Sequence, residues 1–222
     1  MNTRGGLFRW DVVAFSIVMS LAVGAAGAQE PCPPYASEGW DGGDPNGWLG
    51  TAGTELTVPL SGGNPGGFLQ ADNDSLIAAQ TSLPPWNGDW GASNIARVTV
   101  DLNYLTADLV QPHVRLRRDA ITNGWYFVLE PIGVNDGLWH HYEVRVNPWW
   151  TDQQAEAAGW EEAGGTHVSF ADTLASVGYV QIGASSITGS QLLGIDNVTL
   201  TPCLFSDGFE SGDTSAWNAA VP

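Results

Sequence analysis

Short runs of alternating apolar and polar residues recur along the chain. Residues 96–102 read Ala-Arg-Val-Thr-Val-Asp-Leu, and residues 142–146 read Tyr-Glu-Val-Arg-Val. Alternation with a period of two places one face of a strand on a core and the other in water, as in antiparallel sheets. The pattern predicts strands over residues 55–60, 67–71, 96–105, 113–118, 125–130, 141–146, 179–183 and 193–200.

One segment departs from this alternation. Phe170, Leu174 and Val177 recur at helical spacing, so a short helix is predicted within residues 166–177, crossing from one sheet to the other. The 28 glycines and 13 prolines suit many tight turns, and Asn123-Gly124 indicates a hairpin. The predicted fold class is all-β, an antiparallel jelly-roll β-sandwich with one short connecting helix.

The chain divides into three segments by composition. Residues 1–28 contain Arg4 and Arg9, an apolar run and a closing Ala-Gly-Ala, which is typical of a signal peptide. A transmembrane anchor would need about 20 apolar residues, and the run is shorter. Residues 29–203 are predicted to form the jelly-roll domain, and residues 204–222 a C-terminal tail.

The charge of the chain is strongly unbalanced. Seven arginines and no lysine stand against 24 Asp and Glu residues, giving a formal net charge of −17. A nucleic-acid-binding protein needs a basic surface, so nucleic acid and anionic membranes are disfavoured as partners. The charge suits either solubility in a salty or calcium-bearing exterior or recognition of a basic partner. We expect a secreted protein, extracellular or at the cell surface, whose mature chain does not insert into a membrane.

The two cysteines, Cys32 and Cys203, flank the predicted domain. Exported proteins can keep such pairs oxidised, so a Cys32–Cys203 disulfide is predicted over two free thiols. In the chain-entropy model a disulfide that closes a loop of this length stabilises the fold by at most about 5 kcal/mol. The pairing requires the first and last strands to be neighbours.

A sequence motif occurs twice. Residues 39–48 and 208–217 both read Gly-aromatic-acid-x-Gly-Asp-x-x-x-Trp. The first copy suits the opening of a β-sandwich. The second has no domain after it, so it is interpreted as a sorting segment, a strand that docks on a sheet edge, or a disordered end.

Three stretches together resemble the laminin domain IV (laminin B) module and its secreted bacterial relatives. They are the Gly-Gly-Asn-Pro-Gly-Gly-Phe turn at 62–68, the segment 138–183, and the closing Ile-Asp-Asn-Val-Thr-Leu strand at 195–200. The resemblance implies a non-catalytic, galactose-binding-like extracellular sandwich. The chain departs from laminins in lacking flanking cysteine-rich repeats, and its tail resembles a C-terminal ending of exported bacterial proteins.

Jelly rolls of this kind often hold one structural Ca²⁺ between the opening motif and the closing strand. Here the corresponding carboxylates are Asp41 and Asp196, with Asp44 and Glu38 close in sequence. Hard oxygen ligands of this type suit Ca²⁺. The alternative is that Asp196 accepts hydrogen bonds from turn amides while Asp41 is solvated.

Tryptophans in loop-like segments are candidates for stacking on sugar rings. Trp86, Trp90, Trp149 and Trp150 are of this kind. The alternative is that they fill the core, which is the usual place of large rings. Trp149 and Trp150 cannot both face inward from extended backbone, so we expect one to be exposed.

Catalytic motifs are absent from the sequence. It contains no Gly-x-Ser-x-Gly or His-Glu-x-x-His, and Glu161 and Glu162 are adjacent rather than spaced as an acid–base pair. The leading hypothesis is a non-catalytic module for cell-surface or extracellular adhesion, with a glycan or a surface protein as partner. The alternative is a carbohydrate-binding module, and a polysaccharide-degrading enzyme is the less favoured third hypothesis.

Overall fold

The computed structural model describes residues 32–106, 111–119, 123–131, 136–185, 189 and 191–202. In this part of the chain it contains twelve strands and two short helices. In chain order they are β1 Ala36–Glu38, β2 Leu49–Gly50, β3 Glu55–Thr57, β4 Leu69–Asn73, β5 Leu76–Thr81, β6 Ile95–Tyr104, β7 Gln111–Arg117, β8 Gly124–Val128, β9 His140–Arg145, α1 Asp152–Ala157, β10 Trp160–Ala163, α2 Phe170–Leu174, β11 Tyr179–Ser185 and β12 Gln191–Pro202.

The strands form two antiparallel sheets. The first, called the β12 sheet, has the order β3-β4-β12-β6-β9, and β1 pairs with the far end of β12. The second, called the β7 sheet, has the order β10-β8-β7-β11-β5-β2. The predicted fold class is therefore confirmed, and the molecule is an antiparallel jelly-roll β-sandwich.

The core lies between the inner faces of the two sheets. Val98, Val100 and Leu102 of β6 alternate inward from the β12 sheet, and Val114 and Leu116 of β7 do so from the other; all five are fully buried. Aromatic rings fill the two ends. Trp40, Trp48 and Trp86 pack edge to face at one end, and Trp125, Trp160 and Phe170 pack together at the other.

The predicted strands are present, with shifts of a few residues at their ends, and four others were missed. β5 has the sequence Leu-Ile-Ala-Ala-Gln-Thr and is buried at nearly every position, so it shows no alternation. Strands β1, β2 and β10 contain only three, two and four residues, which is too short for a periodic signal.

The helix prediction needs one correction. The predicted helix exists as α2, but it lies between β10 and β11, which belong to the same sheet. The helix that crosses between sheets is α1, which follows β9 of the β12 sheet and precedes β10. It begins with a capping box in which the Thr151 side chain accepts from the Gln154 amide. This local signal was missed because α1 has six residues and a single buried one, Ala155.

The first and last strands are neighbours, with Ala36 opposite Leu200, as the predicted disulfide requires. Cys32 is disulfide-bonded; Cys203 lies outside the described residues, so their pairing stays a prediction. The predicted signal peptide (1–28) and tail (204–222) also lie outside the described residues. Within the described part of the chain, none of the helices has the length and apolar character needed to cross a membrane.

Candidate functional site

The outer face of the β7 sheet carries a groove. Residues of β7 alternate, so Pro112, Val114 and Leu116 point into the core while Gln111, His113 and Arg115 point outward. The groove has a volume of about 430 Å³. Its lining comes from β7, β8, β10 and β11 and consists of Gln111, His113, Arg115, Tyr126, Val128, Glu161, Ala163 and Ser185.

Sheet register places a row of polar side chains across this face. Tyr126 lies directly opposite Glu161 on one side and Arg115 on the other. Arg115 is opposite Gln181, which is opposite Gln80. Leu49, which is exposed, follows Gln80 at the edge. Since neighbouring strands are about 4.8 Å apart, the row spans about 24 Å, which suits an extended chain molecule.

Arg117 forms hydrogen bonds with two side-chain amides of this row, those of Gln80 and Gln181. Its Nη1 donates to Gln80 Oε1 at 3.1 Å and to Gln181 Oε1 at 3.3 Å. The guanidinium also lies over the Tyr179 ring, 5.0 Å from the centroid, as a cation–π contact. A guanidinium has donors only, so both amides must present oxygen to Arg117 and keep their NH₂ groups for other partners.

His113 is a neutral side chain in the groove. Burial, and secondarily the nearby Arg115 cation, lowers its pKa to about 4. Its ring occupies the space over Gly183, where an added Cβ would lie 2.6 Å from His113 Nε2. The imidazole is therefore uncharged at neutral pH and covers a glycine in the groove floor.

The charged groups of the groove are Arg115 and Glu161. Burial lowers the pKa of Arg115 and the neighbouring Arg117 cation lowers it further, but a guanidinium remains charged at neutral pH. Tyr126 Oη donates a hydrogen bond to Glu161 Oε2, and this bond raises the pKa of Tyr126. The groove thus presents a cation at its centre and a carboxylate at its β10 edge.

The tryptophans proposed for sugar binding lie elsewhere. Trp86 and Trp90 are buried in the core, where Trp86 packs on Trp48 at 5.5 Å and Trp90 Nε1 donates to the Trp86 carbonyl. Burial removes these two from the candidate sugar-binding residues. Trp150 is half-buried, with its ring 6.1 Å from Phe170. Trp149 is 59% exposed, as expected for one of the pair, but it does not line the groove.

Two of the four proposed calcium ligands contact one loop. Asp41 Oδ1 accepts from the Gly67 amide at 2.9 Å, and Asp196 Oδ2 accepts from the Asn64 amide at 2.5 Å. Asp196 Oδ1 accepts from the Asn197 amide at 2.8 Å. Burial raises the pKa of Asp196, and the nearby carboxylates of Asp101 and Asp41 raise it further.

The other two, Glu38 and Asp44, both contact Asn46 instead. Glu38 Oε1 accepts from the Trp40 amide and from Asn46 Nδ2, and Asp44 Oδ1 accepts from the Asn46 amide. Among the described residues, no group of three or more His, Cys, Asp or Glu side chains is placed to hold a metal ion. Calcium binding stays a prediction.

The groove residues were not found from the sequence. The alternation of Gln-Pro-His-Val-Arg-Leu-Arg in 111–117 is a usable signal, because it puts one histidine and two arginines on the same strand face. It does not reveal that Tyr126 and Gln181 lie on either side of Arg115, because those neighbours are set by strand pairing.

Comparison with known proteins supports the fold. No family model and no curated protein matches the chain. An exo-β-agarase structure is 14% identical, with a TM-score of 0.51, over 74% of this chain and 24% of that one. The N-terminal CBM22-1–CBM22-2 tandem domain of Paenibacillus barcinonensis Xyn10C is also 14% identical, with a TM-score of 0.50, over 80% of this chain and 51% of the tandem.

A family 11 carbohydrate-binding module from Clostridium thermocellum is 13% identical, over 70% of this chain and 89% of the module, at a TM-score of 0.46. At such identities the similarities concern the fold, a jelly-roll β-sandwich. Because no family model matches, the resemblance to laminin domain IV stays a prediction.

Proposed function

We propose that this chain is a non-catalytic carbohydrate-binding module that holds an extended oligosaccharide across the outer face of the β7 sheet. The observation that carries the proposal is the row of Glu161, Tyr126, Arg115, Gln181 and Gln80, side by side on five neighbouring strands. Sugars combine apolar ring faces with hydroxyl groups, so a tyrosine ring beside guanidinium and amide groups is a suitable surface for them.

Of the hypotheses drawn from the sequence, this proposal adopts the alternative, a carbohydrate-binding module, in place of the leading one, adhesion. A jelly-roll fold is compatible with both, since fold alone does not determine function. A concave groove with a few convergent polar groups favours a small or chain-like ligand. The carbohydrate-binding modules among the similar structures are in keeping with a glycan partner.

The groove offers weak support for catalysis. Glycoside hydrolysis ordinarily uses two carboxylates about 5–10 Å apart. Among the described residues that line the groove, Glu161 is the single carboxylate, and it accepts a hydrogen bond from Tyr126. These observations support binding without bond cleavage.

Export and calcium binding remain part of the proposal. A secreted module would meet polysaccharides outside the cell, in accord with the signal-peptide pattern of 1–28. One structural Ca²⁺ is proposed near Asp41 and Asp196, on the side of the β12 sheet that carries the 61–67 loop.

The test is affinity electrophoresis of the protein in gels containing xylan, mixed-linkage β-glucan, agarose or pectin. We expect retardation by at least one polysaccharide, and Tyr126→Ala should weaken binding about tenfold, equivalent to about 1.4 kcal/mol. Trp149→Ala is the matched control, an exposed ring outside the groove, and should be retarded like the wild type. Loss of retardation in Trp149→Ala alone would place the binding site at the loop that carries Trp149. It would contradict the proposal that the groove binds the polysaccharide.

A further inference from the structure

The repeated motif is longer than its two Gly-aromatic-acid copies. We call residues 36–48 the opening segment and residues 205–217, which lie outside the described residues, the tail segment. The residues shared by the two segments, identical or of the same chemical type, are Ser37, Glu38, Gly39, Trp40, Asp41, Gly43, Asp44 and Trp48, matched by Ser206, Asp207, Gly208, Phe209, Glu210, Gly212, Asp213 and Trp217. The match thus includes residues that form β1 in the first copy.

Two tryptophans anchor the opening segment in the core. Trp40 and Trp48 are each 1% exposed and pack edge to face, with their ring centroids 5.7 Å apart. Trp48 also packs on Trp86 at 5.5 Å. The tail segment has an aromatic ring at both of these positions, Phe209 and Trp217. It therefore carries the two large apolar groups that this end of the core requires.

Acidic side chains hold the opening segment on its neighbours. Asp41 Oδ1 accepts from the Gly67 amide at 2.9 Å. Glu38 Oε1 accepts from the backbone amide two residues further along the chain, at 3.1 Å. The tail segment has Glu210 and Asp207 at these positions, so each carboxylate is replaced by the other carboxylate type. A hydrogen-bond acceptor is kept at both places.

Glycines show whether the tail segment suits the same backbone. Gly43 has a φ of +74°, and an added Cβ would lie 2.8 Å from Leu60 Cδ2; the tail segment keeps a glycine there, Gly212. At Gly42 nothing lies within 4 Å of an added Cβ, and there the tail segment has Ser211. Glycine is thus kept where backbone and space require it and replaced where the space is open.

Two positions suit the tail segment less well. Gly47 has a φ of +79°, and an added Cβ would lie 2.2 Å from Cδ1 of the half-exposed Leu83; the tail segment has Ala216 there. Ala36 is 7% exposed and corresponds to Phe205, which is larger. Backbone strain and overpacking both weaken the tail segment relative to the opening segment. The opening segment is therefore the stronger occupant of the site.

The end of β12 starts the tail segment close to this site. Tyr35 N donates to Leu200 O at 2.7 Å, and β1 runs antiparallel to β12 with Ala36 opposite Leu200. A chain that turns back after β12 and places Phe205 opposite Leu200 needs a loop of the four residues 201–204. Four-residue loops are common in β-hairpins. The tail segment can therefore reach the site within its own molecule.

We propose that residues 205–217 are a second opening segment, which takes the place of residues 36–48 on the same molecule when the first copy is displaced. The docking site consists of β12 at 198–200, the 61–67 loop and the ring of Trp86. Strand pairing and buried rings are the usual means by which an added strand binds a sheet. The domain then stays closed while its N-terminal segment is released. This inference is independent of the groove and of the ligand proposed for it.

The test is a double-mutant cycle measured by thermal melting. Trp217→Ala alone should leave the melting temperature unchanged, because the first copy fills the site. Trp48→Ala should lower it, and hydrogen exchange of residues 205–217 should slow in this variant as the tail segment docks. Trp48→Ala with Trp217→Ala should melt at a lower temperature than the two single losses predict together. A double variant that melts like Trp48→Ala overturns the proposal.

Trp149→Ala is the matched control, because this ring is 59% exposed and lies outside the docking site. Adding Trp217→Ala to it should change nothing. If Trp48→Ala does not fold, Trp40→Leu takes its place in the cycle, and failure of both to fold with the tail present also overturns the proposal. Light scattering should show a monomer for the variant at every concentration, and a dimer would overturn docking within one molecule.

Discussion

The buried carboxylate of Asp196 accepts a hydrogen bond from the Asn64 amide at 2.5 Å, joining residues 132 positions apart. The Asp41 carboxylate likewise accepts a hydrogen bond from the Gly67 amide, at 2.9 Å. The opening motif and the closing strand thus bind the 61–67 loop at two positions, Gly67 and Asn64, on the outer face of the β12 sheet.

Replacing Asp196 by alanine should destabilise the protein by about 2–3 kcal/mol, because the Asn64 and Asn197 amides lose a charged acceptor. Urea unfolding measures the change. Asp44→Ala is the control, since Asp44 is exposed and accepts from one local amide. Equal stability of the two variants would mean that the loop is held by other contacts.

Calcium should raise the melting temperature of the wild type relative to the protein in chelator, if Asp41 and Asp196 hold the proposed ion. At a calcium concentration of a hundred times Kd the gain is about 2.7 kcal/mol. Asp41→Asn should abolish the gain, and Glu162→Gln, on β10 of the other sheet, should not. A wild-type melting curve that is the same in calcium and in chelator contradicts the calcium proposal.

Gly66 should not tolerate a side chain. Its φ is +89°, and an added Cβ would lie 1.9 Å from Asp41 Oδ1. We expect Gly66→Ala to lower the free energy of unfolding by at least about 2 kcal/mol, through backbone strain and displacement of Asp41. Gly42→Ala is the matched control because nothing lies within 4 Å of its added Cβ. A stable Gly66→Ala protein would show that the loop rearranges without cost.

The stability of the fold should depend on His113 in mildly acidic solution. Its pKa is lowered from 6.5 to about 4, so between these values the unfolded chain binds a proton that the folded chain does not. Stability contributed by His113 is therefore complete above pH 6.5 and decreases as the pH falls towards 4. At pH 4.5 the loss is about 2.5 kcal/mol.

Chemical unfolding at pH 7.5 and 4.5 measures this dependence. The wild type should lose more stability than His113→Gln, which lacks the titrating group. His167→Gln is the control, because that imidazole is 66% exposed and lies on a loop outside the groove. The same loss in wild type and His113→Gln would mean that other groups carry the dependence.

The sequence predicted the β6 and β9 strands because alternation is a local property that each segment carries by itself. The same reasoning failed for β5, since five of its six residues are buried and its first four residues are all apolar. It also misjudged Trp86 and Trp90. Loop composition suggested exposure, whereas both rings are buried, Trp86 against Trp48 and Trp90 with its Nε1 donating to the Trp86 carbonyl.

The sequence by itself determined the class of fold, because antiparallel strands with one buried face impose their period on the order of residues. It also singled out Asp41 and Asp196 as candidate calcium ligands, which stays a prediction. Only the tertiary structure decided which polar side chains become neighbours on the face of a sheet. Tyr126, Arg115 and Gln181 are separated along the chain and become neighbours through strand pairing. That register depends on long-range packing of the whole sandwich, and it creates the groove that no single segment encodes.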